Sequence, residues 1–191
     1  MRVRLLWNAP VGRGRFKPRP VDAEVVDRIT RKALAQAERW RPVLAAHAEG
    51  DSEWDWESFL KDFLLSQVVG TGRYQSYSLW ALGELQGLMI LEISGIAHPT
   101  RRRKLPQVYV EYLTVAPDNR PNVRNPRKIL GCGSALLGAA FRVSRRRGWE
   151  GRVGLHSLPG ALGFYKGHGF ADLGPDPREQ GLNYMEIGGK L

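Results

Sequence analysis

The change of period between residues 108 and 146 constrains this chain more than any other feature. Val108-Tyr109-Val110-Glu111-Tyr112-Leu113-Thr114-Val115 is rich in β-branched and aromatic residues and predicts a strand. Gly131-Cys132-Gly133-Ser134 then opens ALLGAAFRVSRRRGW, whose apolar residues recur every three or four positions and predict a helix. A strand that hands over to a helix through paired glycines lets backbone N–H groups approach an anion, and the helix N-terminus adds partial positive charge. A tight turn alone would also use Gly131 and Gly133. The anion reading gains because Arg124, Arg127 and Lys128 crowd the same loop.

Around this centre the chain reads as a mixed α/β (α+β) fold. The first dozen residues pair as a strand, and VGRGRFKPRP is a loop punctuated by Gly and Pro. A helix is expected to open with Asp22 and Glu24 and to run through Val25, Ile29, Ala33, Ala37 and Trp40 until Pro42 interrupts it. A second helix is expected from Glu53 to Leu65. The runs SYSLWAL and GLMILEIS flank Gly83-Glu84-Leu85-Gln86 as a hairpin. RVGLHSL predicts a strand, PGALGFYKGHGF a short helix and turn, and LNYMEIGG a last strand. Hairpins mixed with crossover helices imply a mixed sheet with helices against it. At 191 residues, residues 1–191 are expected to form one domain.

No apolar run approaches the ~20 residues that cross a bilayer, which excludes a membrane-spanning helix. The N-terminus has no small-residue cleavage pattern, and the single cysteine, Cys132, can build neither an internal disulfide nor a zinc cluster. A cytoplasmic, metal-free protein with no membrane partner is the expectation. Charge is less ordinary, with 29 Lys+Arg against 19 Asp+Glu for a net +10. Residues 1–20 hold six basic residues and no acid, and residues 101–152 hold thirteen basic and three acidic ones. Such a distribution attracts phosphates of nucleic acid, lipid or cofactor alike.

Val115-Ala116-Pro117-Asp118-Asn119-Arg120, then Lys128-Ile129-Leu130-Gly131-Cys132-Gly133, then Ala161-x-x-Phe164-Tyr165-x-x-x-Gly169-Phe170 appear in that order. Together they resemble the GCN5-related N-acetyltransferase (GNAT) superfamily, over residues 76–187. The resemblance implies the acyl-CoA N-acyltransferase fold, a mixed and mostly antiparallel sheet flanked by helices, with acetyl-CoA as co-substrate. It implies a cofactor site at Leu113, Thr114, Val115, Arg127, Lys128, Ile129, Gly131, Cys132, Gly133 and Ser134. Lys128 stands where the family usually has Arg or Gln. Ten residues, Pro121 to Leu130, separate Arg120 from Gly131 where the family usually has two, so this loop carries a basic, Pro-rich insertion.

The implied reaction is direct attack of a primary amine on the thioester in a ternary complex. Backbone N–H groups of Leu113 to Val115 would polarise the thioester carbonyl, and the Tyr165 hydroxyl would protonate the departing thiolate. The amine must lose a proton before it attacks, and Glu111 is the candidate base. Alternation puts Glu111 on the face of Leu113 and Val115, and a carboxylate within an apolar strand needs a role or a partner. His156, on the adjoining strand, reads either as a proton relay or as a hydrogen-bonded structural histidine. Cys132 is expected to act through its backbone. In DSEWDWES, Asp51, Glu53, Asp55 and Glu57 with Trp54 and Trp56 read either as a cation-holding segment or as a solvated helix start with two core tryptophans.

The acceptor stays open among a small amine or polyamine, a peptide and an aminoacyl group, and a homodimer is open as well. Arg101-Arg102-Arg103-Lys104 and Arg145-Arg146-Arg147 support an alternative, a nucleic-acid or tRNA-associated binding protein, although no nucleic-acid-binding motif accompanies them. A non-catalytic acyl-CoA sensor on the same fold is the other alternative.

Overall fold

The computed structural model describes residues 1–12, 14–46, 73–93 and 105–188. Strands β1 (Arg2–Pro10) and β2 (Phe16–Val26) form an antiparallel hairpin in which Arg2 stands opposite Glu24 and Pro10 opposite Phe16. Val25 N–H donates to Met1 O at 2.8 Å and Val11 N–H to Arg15 O at 3.0 Å, so the odd-numbered pairs exchange the ladder bonds. Phe16, Pro18 and Pro20 therefore turn their backbone nitrogens to the other edge, where the two prolines offer no donor. On that edge β3 (Tyr74–Ala81) pairs only with Ala23 to Val26.

Here the sequence reading is corrected. The expected loop from Val11 to Pro20 is β-structure from Phe16 on, and the expected helix does not begin at Asp22. Ala23 and Val25 are buried and alternate with exposed Asp22 and Glu24, a period of two that pairing with β1 reinforces. Helix α1 (Arg31–Ala37) starts only after Thr30, whose hydroxyl caps it by accepting from Ala33 N–H at 3.2 Å. A 3-10 turn at Glu38–Trp40 follows, and Pro42 lies in the first turn of α2 (Arg41–Ala46), where its missing N–H costs nothing. Ala33, Ala37 and Trp40 are buried, as the helical spacing requires.

The remaining elements are β4 (Glu84–Glu92), β5 (Val108–Val115), β6 (Ile129–Leu130), α3 (Cys132–Arg146), β7 (Val153–Ser157), α4 (Leu162–Gly167), β8 (Ala171–Pro175) and β9 (Asn183–Ile187). The expected β3–β4 hairpin is present but turns at Leu82-Gly83, with Glu84 to Gln86 already in β4, and the strand at 108–115 and the helix after Gly131 are present as expected. The short edge strands β6 and β8 were not anticipated. The expected helix from Glu53 to Leu65, the DSEWDWES segment and Arg101 to Lys104 lie outside the described residues.

Two compact units divide the described chain. The first draws on Met1–Ala48, Ser76–Met89 and Leu113–Leu137, the second on the described parts of Glu49–Gln75, Ile90–Tyr112 and Gly138–Leu191. In the first the strand order is β6-β1-β2-β3-β4-β5. Its centre is β4, where Leu85, Leu88 and Met89 are buried on both faces. Gly87 has no side chain because a Cβ would lie 2.8 Å from Thr114 O and 2.9 Å from a Leu136 methyl, so α3 presses directly onto the strands.

In the second unit the order is β4-β5-β7-β9-β8. β5 pairs with β7 in parallel, Val108 opposite Val153, while β9 is antiparallel to both β7 and β8. Among the described residues no helix is long and apolar enough to cross a membrane.

Candidate active site

In the first unit the strand-to-helix handover is built as a closed loop. Asn119 is buried, donates to Gln86 Oε1 at 2.9 Å and accepts from Ile129 N–H at 2.9 Å. Lys128 N–H donates to Asp118 O at 2.7 Å. The insertion therefore leaves at Asn119 and returns beside its own start, so it lengthens the loop without displacing the glycines. Arg120, the last residue of the Val-x-Pro-x-x-Arg motif, donates to Thr114 Oγ1 at 2.7 Å and to Val115 O at 3.2 Å. Burial lowers its guanidinium to about 10. Arg120 is thus a clip that holds the end of β5.

Leu113, Thr114 and Val115 end β5, with Thr114 buried and its two neighbours half-buried. Gly131 sits at φ 87°, a left-handed turn that favours glycine, and its oxygen accepts the first full helical bond from Ala135 N–H at 2.9 Å. The backbone N–H groups of Cys132, Gly133 and Ser134 precede that bond at the positive end of a 15-residue helix with no acidic residue in its first turn. Arg127 is exposed, and its carbonyl accepts from Asn8 Nδ2 at 2.6 Å. Lys128 directs its ammonium to Glu84 at 2.6 Å, so its side chain is engaged by a carboxylate. Ile129 is buried and paired with Trp7 in β6. Cys132 is buried, and desolvation raises its thiol to about 12, which leaves no thiolate near neutral pH.

In the second unit α4 presents Tyr165. Gly169, at φ 86°, closes the helix: Gly169 N–H donates to Lys166 O at 3.0 Å and Phe170 N–H to Tyr165 O at 3.2 Å. That closure carries Phe170 back against Tyr165, ring centres 5.6 Å apart, and the Phe164 ring stands 5.1 Å from that of Tyr165. The spacing Tyr165-x-x-x-Gly169-Phe170 thus has a mechanical reason. The tyrosine is buried and its hydroxyl is raised to about 12 by desolvation.

Glu111 is half-buried on β5, and its charge acts on Tyr109, two residues earlier on the same face. Burial, more than the charges of Glu111 and Glu179, raises the Tyr109 hydroxyl far above its ordinary value. Tyr109 Oη meets His156 Nδ1 at 2.5 Å, and His156 Nε2 lies 3.5 Å from Asp176 Oδ2. Asp176 is buried and receives Arg178 through Nε at 3.0 Å and Nη2 at 2.9 Å. His156 is therefore a hydrogen-bonded histidine within a polar row.

A second buried row runs from Gln107 Nε2 to Tyr184 Oη and on to Glu186 Oε1, each bond 2.7 Å. Gly154 makes room for it, since a Cβ there would meet both Gln107 and Tyr184 at 2.7 Å. Sequence reading missed Tyr109 and Asp176 as partners of His156. The alternation that singled out Glu111 also marks Tyr109, whereas nothing in Pro175-Asp176-Pro177-Arg178 signals a buried carboxylate. No group of three His, Cys, Asp or Glu among the described residues could hold a metal ion.

At the level of sequence, no family model and no curated protein matches the chain. Solved structures do. The PaiA N-acetyltransferase from Thermoplasma acidophilum, in complex with coenzyme A, is 16% identical, with 87% of this chain and 99% of that one covered at a TM-score of 0.61. An acetyltransferase of the GNAT family from Staphylococcus aureus Mu50 is 12% identical, covering 88% and 99% at 0.59. The ribosomal-protein-S18-alanine N-acetyltransferase from Escherichia coli is 17% identical, covering 88% and 95% at 0.51. At these identities the likeness is one of fold, and the fold is that of the GNAT acyltransferases.

Proposed function

We propose that this chain is an acetyl-CoA-dependent N-acetyltransferase whose acceptor is a primary amine. One observation carries the reading. The closed loop from Asn119 to Ile129 delivers Gly131 in a left-handed turn directly to the N-terminus of α3, at the place where the GNAT motif puts the CoA pyrophosphate. Cys132, Gly133 and Ser134 would bind it through backbone N–H groups, with Arg127 as the exposed cation of the loop. Ile129 supports the turn from the core. Lys128 would serve through its main chain while its ammonium stays with Glu84.

The chemistry asks little more of the chain. The amine nitrogen bonds to the acetyl carbon, the carbon–sulfur bond breaks, and the thiolate takes a proton. Backbone N–H groups at Leu113 to Val115 would stabilise the carbonyl oxygen as charge grows on it. Tyr165, fully protonated near neutral pH, is suited to donate to the thiolate. Glu111 is the proposed base for the amine. The PaiA and ribosomal-protein-S18-alanine N-acetyltransferases both share the fold, so fold alone does not choose the acceptor class.

The test is CoA thiol release together with mass-spectrometric detection of the acetylated product, across polyamines, peptides with free N-termini and aminoacyl amines. Saturable transfer to one of these classes supports the proposal. Tight acetyl-CoA binding with no transfer to any of them would favour the non-catalytic sensor.

A further inference from the structure

We propose that the outer half of the β1–β2 hairpin is a docking arm for the phosphodiester backbone of a nucleic acid. The sequence places a basic residue at every second position, Arg13, Arg15, Lys17 and Arg19, and no acidic residue before Asp22. In the structure Arg15, Lys17 and Arg19 are exposed, and among the described residues none of them makes an ion pair. Side chains two residues apart on a strand share a face at about 6.6 Å spacing, so Lys17 and Arg19 form one row that Arg15 extends at the turn. A row of like charges with no counter-charge repels itself, and a linear polyanion relieves that repulsion.

The backbone of this arm narrows the choice of partner. Pro18 and Pro20 remove two donors from the edge of β2 that no described strand covers at these positions, so an added peptide strand would find an interrupted ladder there. Recognition falls to side chains. Trp7, half-buried, stands opposite Arg19 on the basic face. Phe16, 36% exposed, stands opposite Pro10 on the other face. On the basic face one half-buried ring thus stands beside the cations, an arrangement in which phosphates meet the charges and a base can meet the ring. A two-stranded ribbon is also narrow enough for a major groove. An anionic bilayer calls instead for a broad apolar face ringed by charge.

The experiment measures binding of the whole protein to a labelled single-stranded RNA and to a DNA duplex of equal length, over a series of salt concentrations. Wild type is compared with the triple variant Arg15→Ala, Lys17→Ala, Arg19→Ala, in which only exposed side chains are truncated. A parallel acetyl-CoA titration of each protein keeps the acetyltransferase reading separate. The expected result is a linear fall of log K with log salt, whose slope shrinks in the triple variant by roughly 2 for the single strand or roughly 2.7 for the duplex. Acetyl-CoA affinity stays unchanged. The proposal is overturned if the triple variant keeps the wild-type slope on both probes. It is equally overturned if neither probe binds while anionic-lipid vesicles do, or if the triple variant loses acetyl-CoA affinity alone.

Discussion

The proposed role of Tyr165 as proton donor rests on the surroundings of a single side chain. Phe164 and Phe170 fix its ring, and burial raises its hydroxyl to about 12. Raised from an ordinary value near ~10, the group stays protonated through the neutral and mildly alkaline range and is lost as an acid only as pH climbs toward 12. Tyr165→Phe should lower turnover about 100-fold or more with acetyl-CoA affinity intact, the size expected when a general acid is removed. A collapse of affinity would assign the ring to the scaffold instead. Glu111→Gln should alter the acid limb of the pH–rate profile, and an unchanged profile would remove Glu111 as the base. The motif spacing singles out Tyr165 in the sequence, and the structure gives that spacing a packing reason in Gly169 and Phe170. The row from Tyr109 through His156 to Asp176 was not legible there, because its members come from a strand, another strand and a turn that only the fold brings together.

Elements were read well where one period dominated. The strand at 108–115 and the helix after Gly131 carry unbroken patterns. Residues 16–30 carry two, since Val25, Ile29 and Ala33 suggest a helix while Ala23 and Val25 also alternate as a strand, and pairing with β1 decides between them. The loop between Arg120 and Gly131 behaves in a related way. Its ten-residue spacing looked like a departure, yet Asn119 and Asp118 bond directly to Ile129 and Lys128, contacts that no sequence pattern signals. Asn119→Ala would leave Gln86 Oε1 and Ile129 N–H without this buried partner and should cost about 1–3 kcal/mol. Denaturant titration would measure it, and a change below about 0.5 kcal/mol would mean the loop closes by other means. Gly87→Ala should destabilise by about 1–3 kcal/mol in the same measurement, since its methyl would meet backbone at Thr114.

At the scale of the whole molecule, the account combines a GNAT acyltransferase fold, a strand-to-helix turn proposed to hold a pyrophosphate and a net charge of +10. Charge alone would attract any polyanion, and it weakens steeply with salt. A turn that offers backbone N–H groups at fixed positions should hold one cofactor far less sensitively. The central claim is therefore tested most directly by calorimetric titration of the protein with acetyl-CoA at low and moderate salt, beside Gly133→Val. The account predicts saturable binding that persists at moderate salt and is absent in the folded variant, because a side chain at Gly133 would occupy the space of the pyrophosphate. Equal binding by Gly133→Val, or none by the wild type, would contradict it.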